Sequence, residues 1–236
     1  MIRLSWAIAA TVLFAVPVPS PAQVLDEIYE LLPTSRDEFG SALAVVGDIL
    51  AVSADQAYDS SGEVHLYDLA TGAHLLQIDA PPGDRWGFGE ALAGANGLLA
   101  VGSSGEVQVF DVVRGSPTFG VLVRTLAPPR YEEEFGAALA MAGGFLVVGG
   151  GTAGPVSAGG PFQDSFVYVY DPATGALVRT FDGGVGGDDF GGAVAGSGNL
   201  VAIGASQTIV DGCTSSKKSG LLVRDTSGAL GRSCGV

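Results

Sequence analysis

Positive charge is scarce in this chain. Its 236 residues include 11 lysines and arginines against 25 aspartates and glutamates, for a formal net charge of −14. Nucleic acids and anionic lipid surfaces are held by clustered cations. The one basic pair is Lys217-Lys218, so neither is expected as a partner. Cysteine is rarer, with Cys213 and Cys234 alone, and no CxxC or Cys/His zinc spacing occurs. The two histidines, His65 and His74, have no serine, cysteine or acidic partner at a catalytic spacing. Both are expected as surface or groove residues. The glycine-rich stretch 149–154 lacks the lysine and following helix of a phosphate loop. Beyond residue 22 no apolar run is long enough to span a membrane.

What is present begins with an export signature. Arg3 precedes the apolar run Leu4–Val16, and Ser20-Pro21-Ala22 offers a small-x-small cleavage site before Gln23. Residues 1–22 therefore read as a signal peptide, and residues 23–236 as one folded domain. The expected location is secreted, periplasmic or on the cell surface. In an oxidising compartment an even cysteine pair implies a disulfide, here Cys213–Cys234.

The folded part repeats one block four times. It reads DEFGSALAVVGDILAVSA from Asp37, WGFGEALAGANGLLAVGS from Trp86, EEFGAALAMAGGFLVVGG from Glu133 and DDFGGAVAGSGNLVAIGA from Asp188. The Phe-Gly pairs at Phe39, Phe88, Phe135 and Phe190 recur about every fifty residues, a period that marks a blade array. Small apolar runs follow each pair, then turns at Gly47-Asp48, Asn96-Gly97, Gly143-Gly144 and Gly198-Asn199. Such dipeptides suit tight hairpins with positive φ. A second strand returns as a continuous apolar run, the mark of burial on both faces. A third ends at Asp68, Asp111, Asp171 or Asp225. Those four aspartates are read as structural, their carboxylates accepting backbone N–H groups across the next turn. A fourth strand follows over 74–78, 121–126 and 176–181, with only Ala229-Leu230 left in the last unit.

Each unit is thus a four-stranded antiparallel meander, and the fold class is all-β, a β-propeller of four-stranded blades. Four repeats make either a small closed ring or a piece of a larger propeller. The segment Ile28–Leu32 matches the fourth-strand pattern, so it is expected beside Leu221–Arg224, completing the last blade and closing the ring.

The four blocks resemble the FG-GAP repeat of integrin alpha chains and of many secreted bacterial proteins, over residues 37–230. The Phe-Gly element is intact. The Gly-Ala-Pro element is degraded to residues 52–54, 101–103, 148–150 and 203–205, none with proline. The resemblance implies a β-propeller used in adhesion or recognition. It also brings the family's calcium loop into question. Here that loop is a tight turn with Asp48, Asn96 or Asn199 and no acidic residue in the third repeat. Calcium takes about six to eight oxygens, so calcium is not favoured and no cofactor is expected.

Several residues are weighed as sites. Asp55 and Asp59 weakly suggest a metal loop but lack a middle oxygen. Acidic groups precede the Phe-Gly pairs at Asp37-Glu38, Asp84, Glu132–Glu134 and Asp188-Asp189, and read as solvated charge. Trp86 reads as packing. The connections between second and third strands vary most, and variable loops on a rigid frame carry recognition. Phe162 in the third and Lys217 and Lys218 in the fourth form the candidate binding surface, with an extracellular protein or glycan as the partner class. No catalytic set is named. The expected function is a secreted, non-enzymatic binding or structural module. An extracellular propeller hydrolase or lyase, and a truncated repeat protein without independent function, are the alternatives.

Overall fold

The computed structural model describes residue 31 and residues 39–54, 62–81, 87–103, 105–130, 134–150, 165–183, 190–205, 220–225 and 234–235. All belong to the compact unit Leu31–Val236. The export segment 1–22 lies outside the described residues.

Among the described residues, sixteen strands form four antiparallel sheets of four, each in chain order. The first blade is β1 (Phe39–Val46), β2 (Ile49–Ala54), β3 (Glu63–Asp68) and β4 (His74–Asp79). The second is β5 (Leu92–Ala95), β6 (Leu98–Ser103), β7 (Glu106–Asp111) and β8 (Leu122–Leu126). The third is β9 (Ala138–Ala142), β10 (Phe145–Gly150), β11 (Phe166–Tyr170) and β12 (Leu177–Asp182). The fourth is β13 (Val194–Ser197), β14 (Leu200–Ala205), β15 (Gly220–Asp225) and β16 (Cys234–Gly235). No helix occurs among the described residues.

The second and third strands of the first three blades are largely buried, and the second and third blades have a blade packed on each side. Alternate residues go to different cores. Ile49 and Ala51 join Val64 and Leu66 against Phe88, Leu92, Leu99 and Val101 of the second blade. Ala100, Val107 and Val109 of the second blade face Phe135, Leu146, Val148 and Tyr168 of the third. Val147, Val167 and Val169 of the third face Phe190, Val201 and Ile203 of the fourth. A single meander could bury only one of these faces. Stacking is therefore what makes the continuous apolar pattern stable.

The Phe-Gly repeat now has a physical cause. Phe88 and Phe135 are fully buried and Phe190 nearly so, each filling the core against the preceding blade. The glycine that follows takes a φ of 93° at Gly89, 101° at Gly136 and 94° at Gly191. A Cβ there would also press on the preceding blade: 2.8 Å from Ser53 Cβ at Gly89, 2.8 Å from the Glu106 carbonyl at Gly136, 2.6 Å from Val167 Cγ2 at Gly191. Its N–H donates to the second strand of its own blade, as Gly136 does to Gly149 at 3.0 Å.

The hairpin turns follow the sequence in part. Asn96-Gly97 and Gly143-Gly144 have positive φ at both positions, while Gly47 and Gly198 have it alone. Three of the four aspartates, Asp68, Asp111 and Asp171, behave as expected, and the side chain of Asp225 lies outside the described residues. Asp68 Oδ1 accepts from the N–H of Ala70 and Thr71 and from Thr71 Oγ1 at 2.7–3.0 Å. Asp171 accepts from Ala173 and Thr174 N–H. Asp111 accepts from Val113 N–H and from the hydroxyls of Ser116 and Thr118.

These bonds have a pH consequence. The Thr71 hydroxyl and N–H and the Arg114 guanidinium hold Asp68 down at about 2. Hydroxyl and backbone donors lower Asp111 and Asp171 too. Unfolded aspartate titrates near ~3.9, so the folded state binds fewer protons between that value and the folded pKa. The stabilisation is complete above pH ~4 and is lost as pH falls toward ~2. Urea midpoints should stay flat in this contribution from pH 7 to 5 and drop below 4. Asp68→Asn should shrink that drop, and an unchanged acid slope in the variant would contradict the assignment.

Ring closure differs from expectation. The slot beside β15 is filled by β16, with Gly220 opposite Gly235 and Leu221 opposite Cys234. Leu31 is not in a strand, and the rest of Ile28–Leu32 lies outside the described residues, as does Ala229-Leu230. A strand edge offers backbone N–H and C=O groups with no residue code, and the C-terminal segment takes them. The inner strands pack β1 on β5, β5 on β9 and β9 on β13. Among the described residues no such packing returns from β13 to β1. The array is open.

Candidate functional site

The second-to-third strand connections leave every blade at the same end, because all four meanders run in the same order. They span 55–62, 104–105, 151–165 and 206–219. That end of the blades is the candidate rim. Ala54 and Glu63 bound the first connection, Ser103 and Glu106 the second, Gly150 and Phe166 the third. Asp55, Asp59, Phe162, Lys217 and Lys218 all fall on these connections and lie outside the described residues. So do the acidic groups before the Phe-Gly pairs, apart from the exposed Glu134, and Trp86. Cys234 sits in β16 while Cys213 lies outside the described residues. No disulfide occurs among the residues that are described.

Beside the rim is a polar cluster that the sequence reading missed. His65 is buried, with Nε2 2.9 Å from Glu63 Oε1 and Nδ1 3.2 Å from His74 Nε2. Gln77 Nε2 donates to Glu63 Oε2 and to Asp79 Oδ1, both at 2.7 Å. An ionised carboxylate only accepts, so with Glu63 charged, Nε2 of His65 carries a proton. In neutral His65, Nδ1 then accepts from His74. Phe39 and Tyr67 meet these rings edge-on, Phe39 at 5.7 Å from His65 and Tyr67 at 5.1 Å from His74. His65 thus does have an acidic partner, contrary to expectation. The signal for it was the two-residue period, which puts positions 63 and 65 on one face of a strand.

The neighbouring blade tells what this cluster does. Gln108 and Glu106 stand where His65 and Glu63 stand, and Gln108 Nε2 donates to Glu106 Oε1 at 2.8 Å. An amide in the same role moves no proton. Both ring nitrogens of His65 are engaged, and the ring is buried. The cluster is a polar tie across the third strand, repeated with different residues. Among the described residues no group of three or more His, Cys, Asp or Glu is arranged to hold a metal ion. Nor is any described helix long and apolar enough to cross a membrane.

Charge ties blades together at the opposite end. Arg114, in the turn of the second blade, pairs with Asp48 at 3.4 Å and Asp68 at 2.5 Å of the first. Arg124 Nε donates to the Ala173 carbonyl of the third blade at 2.7 Å. Asp48, the acidic residue of the tight turn that stands where the family has its calcium loop, has its carboxylate paired with a guanidinium.

The two ends of the array expose apolar faces. Leu43 is 61% and Val45 53% exposed on β1, and Leu200 is 53% exposed on β14. At the same repeat positions, Leu92 is 8% exposed on β5 and Ile49 is fully buried on β2. The contrast arises because, among the described residues, no blade packs on the outer face of the first or of the fourth.

Four-stranded meanders stacked through alternating faces define a β-propeller. Comparison with solved structures agrees. The chain is similar to the Neurospora crassa Pan2 WD40 domain, at 10% identity and a TM-score of 0.52, over 82% of this chain and 49% of that one. It is also similar to Kuenenia stuttgartiensis hydrazine synthase, at 16% identity and a TM-score of 0.52, over 83% of this chain and 53% of that one. At these identities the likeness is one of fold. The chain spans about half the length of each. No protein-family model and no curated protein matches the sequence.

Proposed function

We propose that the chain is an exported, non-enzymatic propeller module of FG-GAP type that binds an extracellular protein or glycan on its rim. One observation carries this reading. The four-stranded framework recurs in every blade, with the Phe-Gly contact at Phe88, Phe135 and Phe190 and aspartate turns at Asp68, Asp111 and Asp171, whereas the rim connections 55–62, 104–105, 151–165 and 206–219 differ in length and chemistry. Rigid scaffolds with variable loops are how recognition surfaces are built. Phe162 would supply an aromatic anchor and Lys217-Lys218 a contact for an anionic group. The Cys213–Cys234 bridge would tether the fourth connection to the last strand. A loop of about twenty residues closed this way contributes ~3 kcal/mol in the chain-entropy model.

The test is a pull-down from the source organism's envelope fraction. The intact protein is compared with a variant whose 151–165 and 206–219 connections are cut to the length of 104–105. The variant should lose the bound partners while keeping its far-UV circular dichroism. A folded variant that retains the same partners would show that the rim is not the site.

A further inference from the structure

We propose that a second copy of this chain closes the ring, head to tail, by docking its first blade on the fourth blade of its partner. The evidence is a contact that the array makes twice and leaves unmade at its ends. Gly102 and Gly149 sit at equivalent places on β6 and β10. A Cβ at Gly102 would lie 2.1 Å from the Gly136 carbonyl oxygen, and one at Gly149 2.0 Å from the Gly191 carbonyl oxygen. In both cases the Phe-Gly backbone of the next blade rests on a bare glycine.

Gly204 holds the same place on β14, and no described blade packs on it. A Cβ there would meet nothing closer than its own blade's Ala193, at 3.4 Å. Its φ lies outside the left-handed region, since Gly204 is absent from the positive-φ glycines. Nothing within the described residues requires glycine at 204, yet glycine stands there as it does at two of the three docked junctions, Ser53 holding the place in the first. The matching half is at the other end. Gly40 has the φ of the other Phe-Gly glycines, 94°, and open space where Gly89, Gly136 and Gly191 press on a neighbour.

The surrounding side chains fit the same junction. Inside the array, Val46 lies over Gly94 and Ala142 over Gly196, the first strand of one blade against that of the next. The unmade junction would set small Ser197 against Val45. Leu43, Val45 and Leu200 would all be covered, and these are among the exposed large apolar side chains. A terminal apolar face of this kind marks an interaction surface. Two copies bring eight blades, within the usual range of about four to eight. This chain also overlays about half of larger propellers. Head-to-tail contacts that close after two members make a discrete ring and not a filament.

The experiment is light scattering coupled to size exclusion on the full chain purified after export, from micromolar to hundreds of micromolar. The wild type should elute at twice the mass of one chain. Leu43→Glu and Leu200→Lys each spoil both junctions and should elute at the mass of one chain. Both sites are exposed, so each variant should keep the wild-type circular dichroism. Mixing the two variants leaves one junction wild type and should restore the double mass. Gly204→Ala, which its own blade tolerates, should weaken the dimer at least tenfold. A wild type that stays at single mass throughout would overturn the proposal. So would a dimer indifferent to Leu200→Lys, which would join like faces, or a ladder of higher masses.

Discussion

Replacing Phe135 with alanine should lower the unfolding free energy by about 3–5 kcal/mol. The ring is fully buried in the core between the second and third blades. It meets Tyr168 at 5.8 Å and Tyr170 at 6.2 Å, both edge-on. Removing it strips apolar area from two blades at once and leaves a cavity walled by strands that are held in register by their own ladders, so the site cannot collapse. Aromatic pairs of this geometry add about 0.5–1.5 kcal/mol beyond area. Chemical denaturation in urea measures the effect. A loss below about 1 kcal/mol would mean that Phe135 does not join the blades.

Gly149→Ala should cost about 3 kcal/mol, the upper end for overpacking. The added methyl would sit 2.0 Å from the Gly191 carbonyl oxygen. Backbone lies on both sides of that contact, so relief requires the fourth blade to move as a unit. Gly204→Ala is the matched comparison, because its methyl has 3.4 Å of room. In the dilute single chain it should be neutral or stabilising by ~0.4–1 kcal/mol, the usual result of Gly→Ala at a compatible φ. Equal losses at 149 and 204 would show that blade docking is not what makes the first glycine necessary.

The blade was legible in the sequence because its determinants are local. Hairpin dipeptides such as Asn96-Gly97, two-sided apolar strands such as Leu98–Val101 and the Asp171 turn each act within a few residues. Repetition multiplies the signal. What joins blades was legible only as a pattern. Gly102 and Gly149 recur visibly, but their reason is a carbonyl oxygen on the next blade, and backbone atoms leave no trace in residue type. Strand closure failed for a similar reason. Ile28–Leu32 has an apolar strand pattern, yet pairing beside β15 is by main-chain bonds, and Cys234–Gly235 makes them. The openness of the array was not legible either. Leu43 and Leu92 are the same residue in the same place, and only the presence or absence of a neighbour separates 61% exposure from 8%.

The candidate site divides along the same line. The pairing of Glu63 with His65 follows from the period of one strand and could be read. The tie between Arg114 and Asp48 joins two blades and could not. Phe162, Lys217 and Lys218 were chosen from the length and chemistry of their connections, which is information about variation and not about position.

An experimental structure of the chain, by crystallography, tests the central claim most directly. Four successive meanders should appear, with β1, β5, β9 and β13 packed in that order and β13 of one chain not packed on its own β1. A chain in which its own β13 and β1 pack together, covering Leu43 and Leu200 within a closed four-bladed ring, would contradict the open array and the head-to-tail pairing built on it.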